Sequence, residues 1–264
     1  MTVLEQIVER TRERLRGEAK PDRRAAEEVA QQRRAFAFRD AISGDDVNVI
    51  AEIKSASPSA GSIVDDPDVE AIARDYARGG AAAMSIVTEP EFFRGSREWI
   101  ARAKAAGGLP VVMKDFIVEP SQIVRGIAAG ADAILLLASL LDAMQLQDFV
   151  ALAEAYGCDA LVEVHDEEEL ERAVTGGARL IGVNNRDLKD FRVDLGISER
   201  LGAKMPADVI RVAESGIRAR ADVDRLRAAG FHAFLVGESL LRQNDRAAAV
   251  RALVDPSTTL RMTQ

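Results

Sequence analysis

The stretch Val49-Ile50-Ala51-Glu52-Ile53-Lys54-Ser55-Ala56-Ser57-Pro58-Ser59 begins as an apolar strand and ends in charge. In a strand, residues i and i+2 point to the same face. Glu52 and Lys54 therefore project together from the carboxyl end of this strand. An acid and a base inside an apolar run cost free energy unless they are paired or used. Ser57-Pro58-Ser59 follows at once and offers hydroxyls and backbone N–H groups beside the charges. The segment reads as a buried strand that feeds a functional rim.

The same unit recurs downstream. Apolar, β-rich runs are expected as strands over 47–54, 82–88, 110–116, 133–137, 160–165, 180–185, 209–215 and 233–237. Amphipathic helical segments lie between them, among them 68–78, 96–106, 119–129, 166–175 and 220–229. Gly79-Gly80, Gly107-Gly108, Gly130, Gly176-Gly177 and Gly230 supply helix stops. Alternating β and α at this spacing predicts parallel strands. Near-continuous apolar strands predict burial on both faces. Eight such units predict an α/β fold, the TIM (β/α)8 barrel. A doubly wound open sheet is the alternative, but it usually carries a glycine-rich loop after its first strand. Neither G-x-G-x-x-G nor G-x-x-x-x-G-K-[ST] occurs.

Residues 1–46 lie outside the repeat. They read as an N-terminal helical extension of one or two helices, broken near Gly17 to Pro21, with Phe36, Phe38 and Ile42 packed onto the barrel. No low-complexity linker interrupts the chain. One domain is expected over 1–264, with the barrel over 47–254 and a C-terminal tail over 255–264.

The chain has 264 residues, within the usual range for one barrel of about 250 residues. Its 35 basic and 43 acidic residues give a net charge of −8, spread along the chain, and no basic run with interleaved aromatics occurs. Nucleic acid is not an expected partner. No apolar run approaches the roughly 18 residues of a membrane span, and the charged N-terminus lacks the apolar core of a signal peptide. A cytoplasmic location follows as the default. A single cysteine, Cys158, fits a reducing compartment.

Barrel enzymes carry their chemistry at the carboxyl ends of the strands. Those ends hold Glu52 and Lys54; Thr88-Glu89 with Phe92-Phe93; Lys114-Asp115-Phe116; Glu163 and His165; Asn184-Asn185-Arg186-Asp187; Glu214-Ser215-Gly216; and Gly237-Glu238-Ser239. Any one of them reads equally as a solvated strand end. Polar groups at nearly every end favour an active rim. Lys54, Lys114 and Arg186 converge on one end of an acidic protein, which points to an anionic small molecule, although surface ion pairs would also explain them. The glycine and hydroxyl pairs after strands 7 and 8 match the recurrent phosphate position of this fold, where glycine lets backbone donors approach an anion. Simple turn glycines are the other reading. Phe92, Phe93 and Phe116 suit a planar ring or the packing of their own loops. With two histidines, His165 and His232, and no H-E-x-x-H or paired-Cys spacing, a metal site is not expected. His165 reads as a structural strand-end residue, Cys158 as inert and Trp99 as packing.

With these motifs assembled, the chain resembles the indole-3-glycerol phosphate synthase family. Glu52-x-Lys54-x-x-Ser57-Pro58-Ser59 and Asn184-Asn185-Arg186-Asp187-Leu188 carry the resemblance most specifically. Thr88-Glu89, Phe92-Phe93-Arg94-Gly95-Ser96 and the segments 110–116, 161–165, 213–217 and 235–240 extend it in order. Two departures are visible. The helical segment 119–129 opens Glu119-Pro120-Ser121-Gln122, where the family often has an aromatic at the third position, and residues 1–35 match only in length and helical character. The resemblance implies a TIM barrel that uses no cofactor or metal. It implies conversion of the anionic 1-(2-carboxyphenylamino)-1-deoxyribulose 5-phosphate to indole-3-glycerol phosphate, with loss of CO2 and water, by a monomer or homodimer. The implied catalytic residues are Glu52, Lys54, Lys114, Glu163, Asn184 and Ser215. The implied substrate-binding residues are Ser57, Phe93, Phe116, Arg186, Gly216, Gly237, Glu238 and Ser239. Within that set, Lys114 is the candidate acid, with its pKa expected to fall toward a useful range in an apolar barrel mouth. Glu163, flanked by Val162 and Val164, is expected to be raised by desolvation unless Lys114 or Arg186 approaches it. Glu52 and Glu163 are therefore expected to titrate apart. A Schiff-base aldolase using Lys54 or Lys114, and a non-catalytic sugar-phosphate-binding barrel, stand as rivals on the same fold.

Overall fold

The computed structural model describes residues 1–187, 191–255 and 257. The expected tail over 255–264 lies outside these residues apart from Asp255 and Ser257, as does Leu188 of the Asn-Asn-Arg-Asp-Leu segment.

Eight parallel strands alternate with helices and close on themselves: β1 (Asn48–Ile53), β2 (Ala83–Val87), β3 (Val111–Lys114), β4 (Ala133–Leu137), β5 (Asp159–Val164), β6 (Leu180–Asn184), β7 (Ile210–Glu214) and β8 (Ala233–Val236). Each pairs with its sequence neighbour, and β1 joins both β2 and β8. This is the TIM barrel. The observed strands sit inside the expected spans at nearly every end, because Lys54, Asp115, Phe116, Ser215 and Gly237 have left the ladder for the loops. One strand starts earlier than expected. Asp159 joins β5 because its backbone N–H donates to Asp132 O at 2.9 Å while its carboxylate takes Arg39.

Strand alternation explains how an apolar barrel acquires a polar mouth. The inward residues of β5 run Leu161 then Glu163, those of β3 Val112 then Lys114, and those of β7 Val212 then Glu214. On β1 the inward face runs Asn48, Ile50, Glu52. Leu135, Leu161 and Leu180 fill the barrel below the charged level, while Leu137 and Leu235 pair in register with Glu163 and Glu214. The outward residues, such as Val49, Ala51 and Ile53, pack against the surrounding helices.

The extension forms three helices, where one or two were expected: α1 (Val3–Gly17), α2 (Arg23–Gln32) and α3 (Ala37–Ile42). The break falls at Gly17–Pro21 as the sequence indicates, and Asp22 caps α2 by accepting from Ala25 N. The third helix is short and follows Phe36, which is left-handed at φ 57° and half-buried under Arg39. A six-residue helix leaves little periodic signal. Phe38 and Ile42 on α3 are fully buried against the inner barrel cluster and plug its base. Each contributes roughly 1.5–3 kcal/mol by burial. The barrel helices begin where the caps dictate. Asp68 caps α4 (Val69–Gly79), α5 (Glu98–Gly107) and α6 (Pro120–Ala128) follow, and Asp142 caps α7 (Ala143–Ala155) and Asp166 caps α8 (Glu167–Thr175). Among the described residues no helix is long and apolar enough to cross a membrane.

Candidate active site

Every residue that the resemblance marks as catalytic or substrate-binding lines one cavity of about 450 Å³ at the carboxyl ends of the strands. Phe92 does not line it, nor do His165, Trp99 and Cys158. Trp99 packs against the core. Cys158 is buried, and burial pushes its thiol up to about 12, so it is not a nucleophile near neutral pH.

The centre of the cavity is Lys114. Its Nζ donates to Glu163 Oε2 at 2.8 Å and to Glu214 Oε2 at 3.1 Å. Both carboxylates are almost fully buried, while the lysine side chain is 22% exposed. Burial alone would lower the ammonium, but Glu163, Glu214 and, at longer range, Glu52 outweigh it and hold the lysine above its ordinary pKa. The expected downward shift is thus corrected, because the mouth of this barrel is acidic and not apolar around Nζ.

The two carboxyls that share Lys114 are not equivalent. Glu163 also accepts a hydrogen bond from Asn184 Nδ2 at 2.8 Å on Oε1. Burial would raise it, but Lys114 and His165 prevail and hold it well below the usual carboxylate range. The condition attached to the sequence expectation is met, since Lys114 does approach. Glu214 is pushed up, first by burial and then by the charge of Glu163, against the pull of Lys114. Its Oε1 has no hydrogen-bond partner among the described residues. Glu163 and Glu214, the two carboxyls that share Lys114, are thus driven apart, a pairing the strand-by-strand reading of the sequence does not single out. Glu52 pairs with Lys54 at 2.6 Å, as two same-face strand neighbours should.

Glu214 was named in sequence only as one strand end among many. The alternation of 210, 212 and 214 was the available signal that it points inward. Opposite it, Gly182 on β6 leaves room: a Cβ there would run into the Glu214 carboxyl. Asn185, the neighbour of Asn184, faces the other way. It donates to Glu214 O and Ser215 O and accepts from Ser198 N and Oγ, tying β6 to β7. Adjacent asparagines thus serve opposite faces of one strand.

One end of the cavity suits an anion. Ser215 and Gly216 are both left-handed, at φ 65° and 83°. For serine this costs of order 1–3 kcal/mol and persists only where the surroundings enforce it. A Cβ on Gly216 would strike Val193, and one on Gly237 would strike the Glu52 carboxylate. Arg218 and Arg242 line the same end, which sequence reading missed. The Glu238 carboxylate is turned to Arg242 at 2.9 Å, and Ser239 Oγ donates to Ile217 O at 3.3 Å. Arg186 is half-buried, donating from its guanidinium to Phe191 O at 3.2 Å. Ser57 Oγ accepts from Ala60 N at 3.1 Å, holding the turn after β1.

The other end is apolar. The Phe93 and Phe116 rings lie 5.8 Å apart, tilted by 41°. Their backbones are held by buried carboxylates. Glu89 accepts from the N–H groups of Glu91, Phe92 and Phe93 at 3.0, 2.7 and 2.9 Å, and Asp115 accepts from Phe116 N at 2.8 Å and Thr88 Oγ1 at 2.7 Å. Val3, Leu4 and Ile7 of α1 also line the cavity, so the extension contributes to its wall.

A family model of indole-3-glycerol phosphate synthase matches residues 4–253. The chain belongs to the indole-3-glycerol phosphate synthase family. A protein of that name from Carboxydothermus hydrogenoformans is 42% identical over 262 residues, covering 95% of this chain and 99% of its own length. Another from Koribacter versatilis is 47% identical over 233 residues, covering 88% and 89%. Among solved structures, N-acetylmannosamine-6-phosphate 2-epimerase from Clostridium perfringens superposes with a TM-score of 0.60 at 17% identity, over 76% of this chain and 89% of its own. That likeness shows the fold alone. Family membership makes the chain a carboxy-lyase of tryptophan biosynthesis that acts on a small phosphorylated substrate.

Proposed function

We propose that the chain closes the indole ring of 1-(2-carboxyphenylamino)-1-deoxyribulose 5-phosphate within this cavity. The observation that carries the reading is Lys114 Nζ, held between Glu163 and Glu214 at 2.8 and 3.1 Å. The phosphate sits at the Ser215-Gly216 and Gly237-Glu238-Ser239 end, where Arg218 and Arg242 supply cations and the backbone supplies N–H donors. The anthranilate ring lies toward Phe93 and Phe116, and its carboxylate toward Lys54 and Arg186. The substrate ketone then meets Lys114. The ammonium donates its proton as the carboxylate-bearing ring carbon attacks the carbonyl carbon. The new C–C bond leaves an alcohol, and CO2 departs, returning its electron pair to the ring. Dehydration follows: the hydroxyl leaves as water with one added proton, and a C–H proton is lost from the neighbouring methylene. Glu163, ionised and oriented by Asn184, is the base for that loss. Glu214, raised toward its protonated form, is the acid. Glu52 holds Lys54 in place. Ser57 orients the substrate near the turn after β1. We further propose that the enzyme works in the cytoplasm as a monomer or homodimer.

Incubating the purified chain with the anilino-deoxyribulose phosphate should give indole fluorescence with one CO2 per indole. Borohydride trapping of a covalent lysine adduct with a ketose phosphate, without indole formation, would replace this reading by the aldolase.

A further inference from the structure

His165 does not line the cavity, yet it stands two residues beyond Glu163 and so shares the inward face of that segment. Its Nε2 lies 3.3 Å from Glu163 Oε1, an ion-pair distance without the alignment of a hydrogen bond. Its Nδ1 lies 3.0 Å from Glu169 Oε2. That same Glu169 oxygen accepts the His165 backbone N–H at 2.8 Å. Glu169 sits in the first turn of α8 and is largely buried, so ring and backbone are fixed by one carboxylate.

We propose that His165, seated by Glu169, is a positioning residue whose imidazolium makes Glu163 the carboxylate that carries the negative charge beside Lys114. The proposal rests on the ring-closure reading above and extends it to two residues outside the cavity.

The geometry supports this through an asymmetry. Lys114 approaches Glu163 and Glu214 at similar distances and cannot by itself decide which of them is ionised. Facing Glu163 are Lys114 from β3, Glu214 from β7, Asn184 from β6, His165 from its own segment and the apolar Leu137 paired with it in register on β4. Glu52 on β1 acts on Lys114 from across the barrel. Of the groups that distinguish the two carboxyls, Asn184 is neutral and His165 is the one that can bring charge. A neutral imidazole off the hydrogen-bond line would give Glu163 little. A cationic one at 3.3 Å gives it a second positive neighbour. The ring is flanked by two carboxylates, and although burial would lower its pKa, they push it up to about 10. The imidazolium therefore persists through the working pH range. Arg172, the nearby cation of α8, is turned away to Glu168 and Ala138 O.

The pH profile of kcat tests this. If Glu163 must be ionised, its titration sets the acid limb. His165→Gln removes the charge while keeping a neutral donor, so the limb should move up by about one pH unit, a tenfold loss of rate below it. KM should stay within about twofold, because His165 does not touch the cavity. Glu169→Gln should move the limb the same way by a smaller amount. An acid limb that stays in place overturns the proposal, whether kcat falls uniformly or does not change. NMR titration of the imidazole in the wild-type protein supplies an arm that needs no turnover and no variant. Protonation retained above pH 9 supports the assignment, and titration near 6.5 overturns it. Wild-type protein that forms no indole would instead overturn the ring-closure reading, with the NMR result standing apart.

Discussion

Replacing Lys114 by alanine removes the proton donor and also the cation shared by two buried carboxyls. Loss of a positioned general acid costs about 10²–10⁴ in rate, equal to about 2.7–5.4 kcal/mol of transition-state stabilisation. The structure places the loss toward the upper end, since no other ammonium or guanidinium is hydrogen-bonded to Glu163 or Glu214 among the described residues. The fold should survive, for a reason that also sets its pH dependence. Glu163 keeps Asn184 and His165, whereas Glu214 keeps no partner and takes up a proton. Glu214 is already raised by burial and by Glu163, and Lys114 is the influence that pulls it down. Deleting the lysine raises it further. A carboxyl raised on folding contributes stability that is complete below its unfolded pKa, near 4.3, and is lost as the pH climbs toward its folded value. Wild-type Glu214 is itself pushed up to about 8, so both proteins lose this stability together below that pH, and the gap in Tm between wild type and Lys114→Ala should widen from about pH 8 to about pH 9.5. Single-turnover indole fluorescence at pH 7.5 measures the rate, and thermal melts at the two pH values measure the gap. Near wild-type turnover would refute the role of Lys114. A gap that narrows with pH would refute the electrostatic account of the trio.

Further outcomes follow from the same geometry. Gly182→Ala forces the Glu214 carboxyl aside, and a displacement near 1 Å should cost about 10² in kcat with little change in Tm, read by steady-state kinetics and melts. Glu89→Gln leaves at least one of three loop N–H groups without its carboxylate acceptor, so KM should rise about tenfold with kcat within about threefold. An equal fall in kcat would show that the loop does more than hold Phe93. Inorganic phosphate should inhibit competitively, and Arg242→Gln should weaken that inhibition; noncompetitive inhibition would move the anion site elsewhere.

Much of this molecule could be read from local pattern. The barrel strands are short apolar runs separated by capped helices, and each rule involved operates within about a dozen residues. Glu52 and Lys54 announced their contact because they lie two apart on one strand. The Lys114 trio was harder, since its members lie 49 and 100 residues apart and meet only across the closed barrel. An expectation about Lys114 made from its own apolar strand had the wrong sign for that reason. Glu214 was visible as a strand end, but its weight comes from sharing a cation with Glu163 and from the space that Gly182 leaves. Helix α3 was missed as a separate helix because six residues carry little periodicity, although Phe38 and Ile42 were rightly expected to pack on the barrel. His165 looked structural in sequence. Only the distances to Glu163 and Glu169 give it a place in the charge pattern of the site.

The most direct test of the central claim is a crystal structure with a substrate analogue whose ketone is reduced to an alcohol, so that ring closure cannot occur. The account predicts the C2 oxygen within hydrogen-bond distance of Lys114 Nζ, the ring beside Phe93 and Phe116, and the phosphate against Gly216 and Gly237. An analogue bound in this cavity with its C2 oxygen remote from Lys114, or with its phosphate at the phenylalanine end, would contradict it.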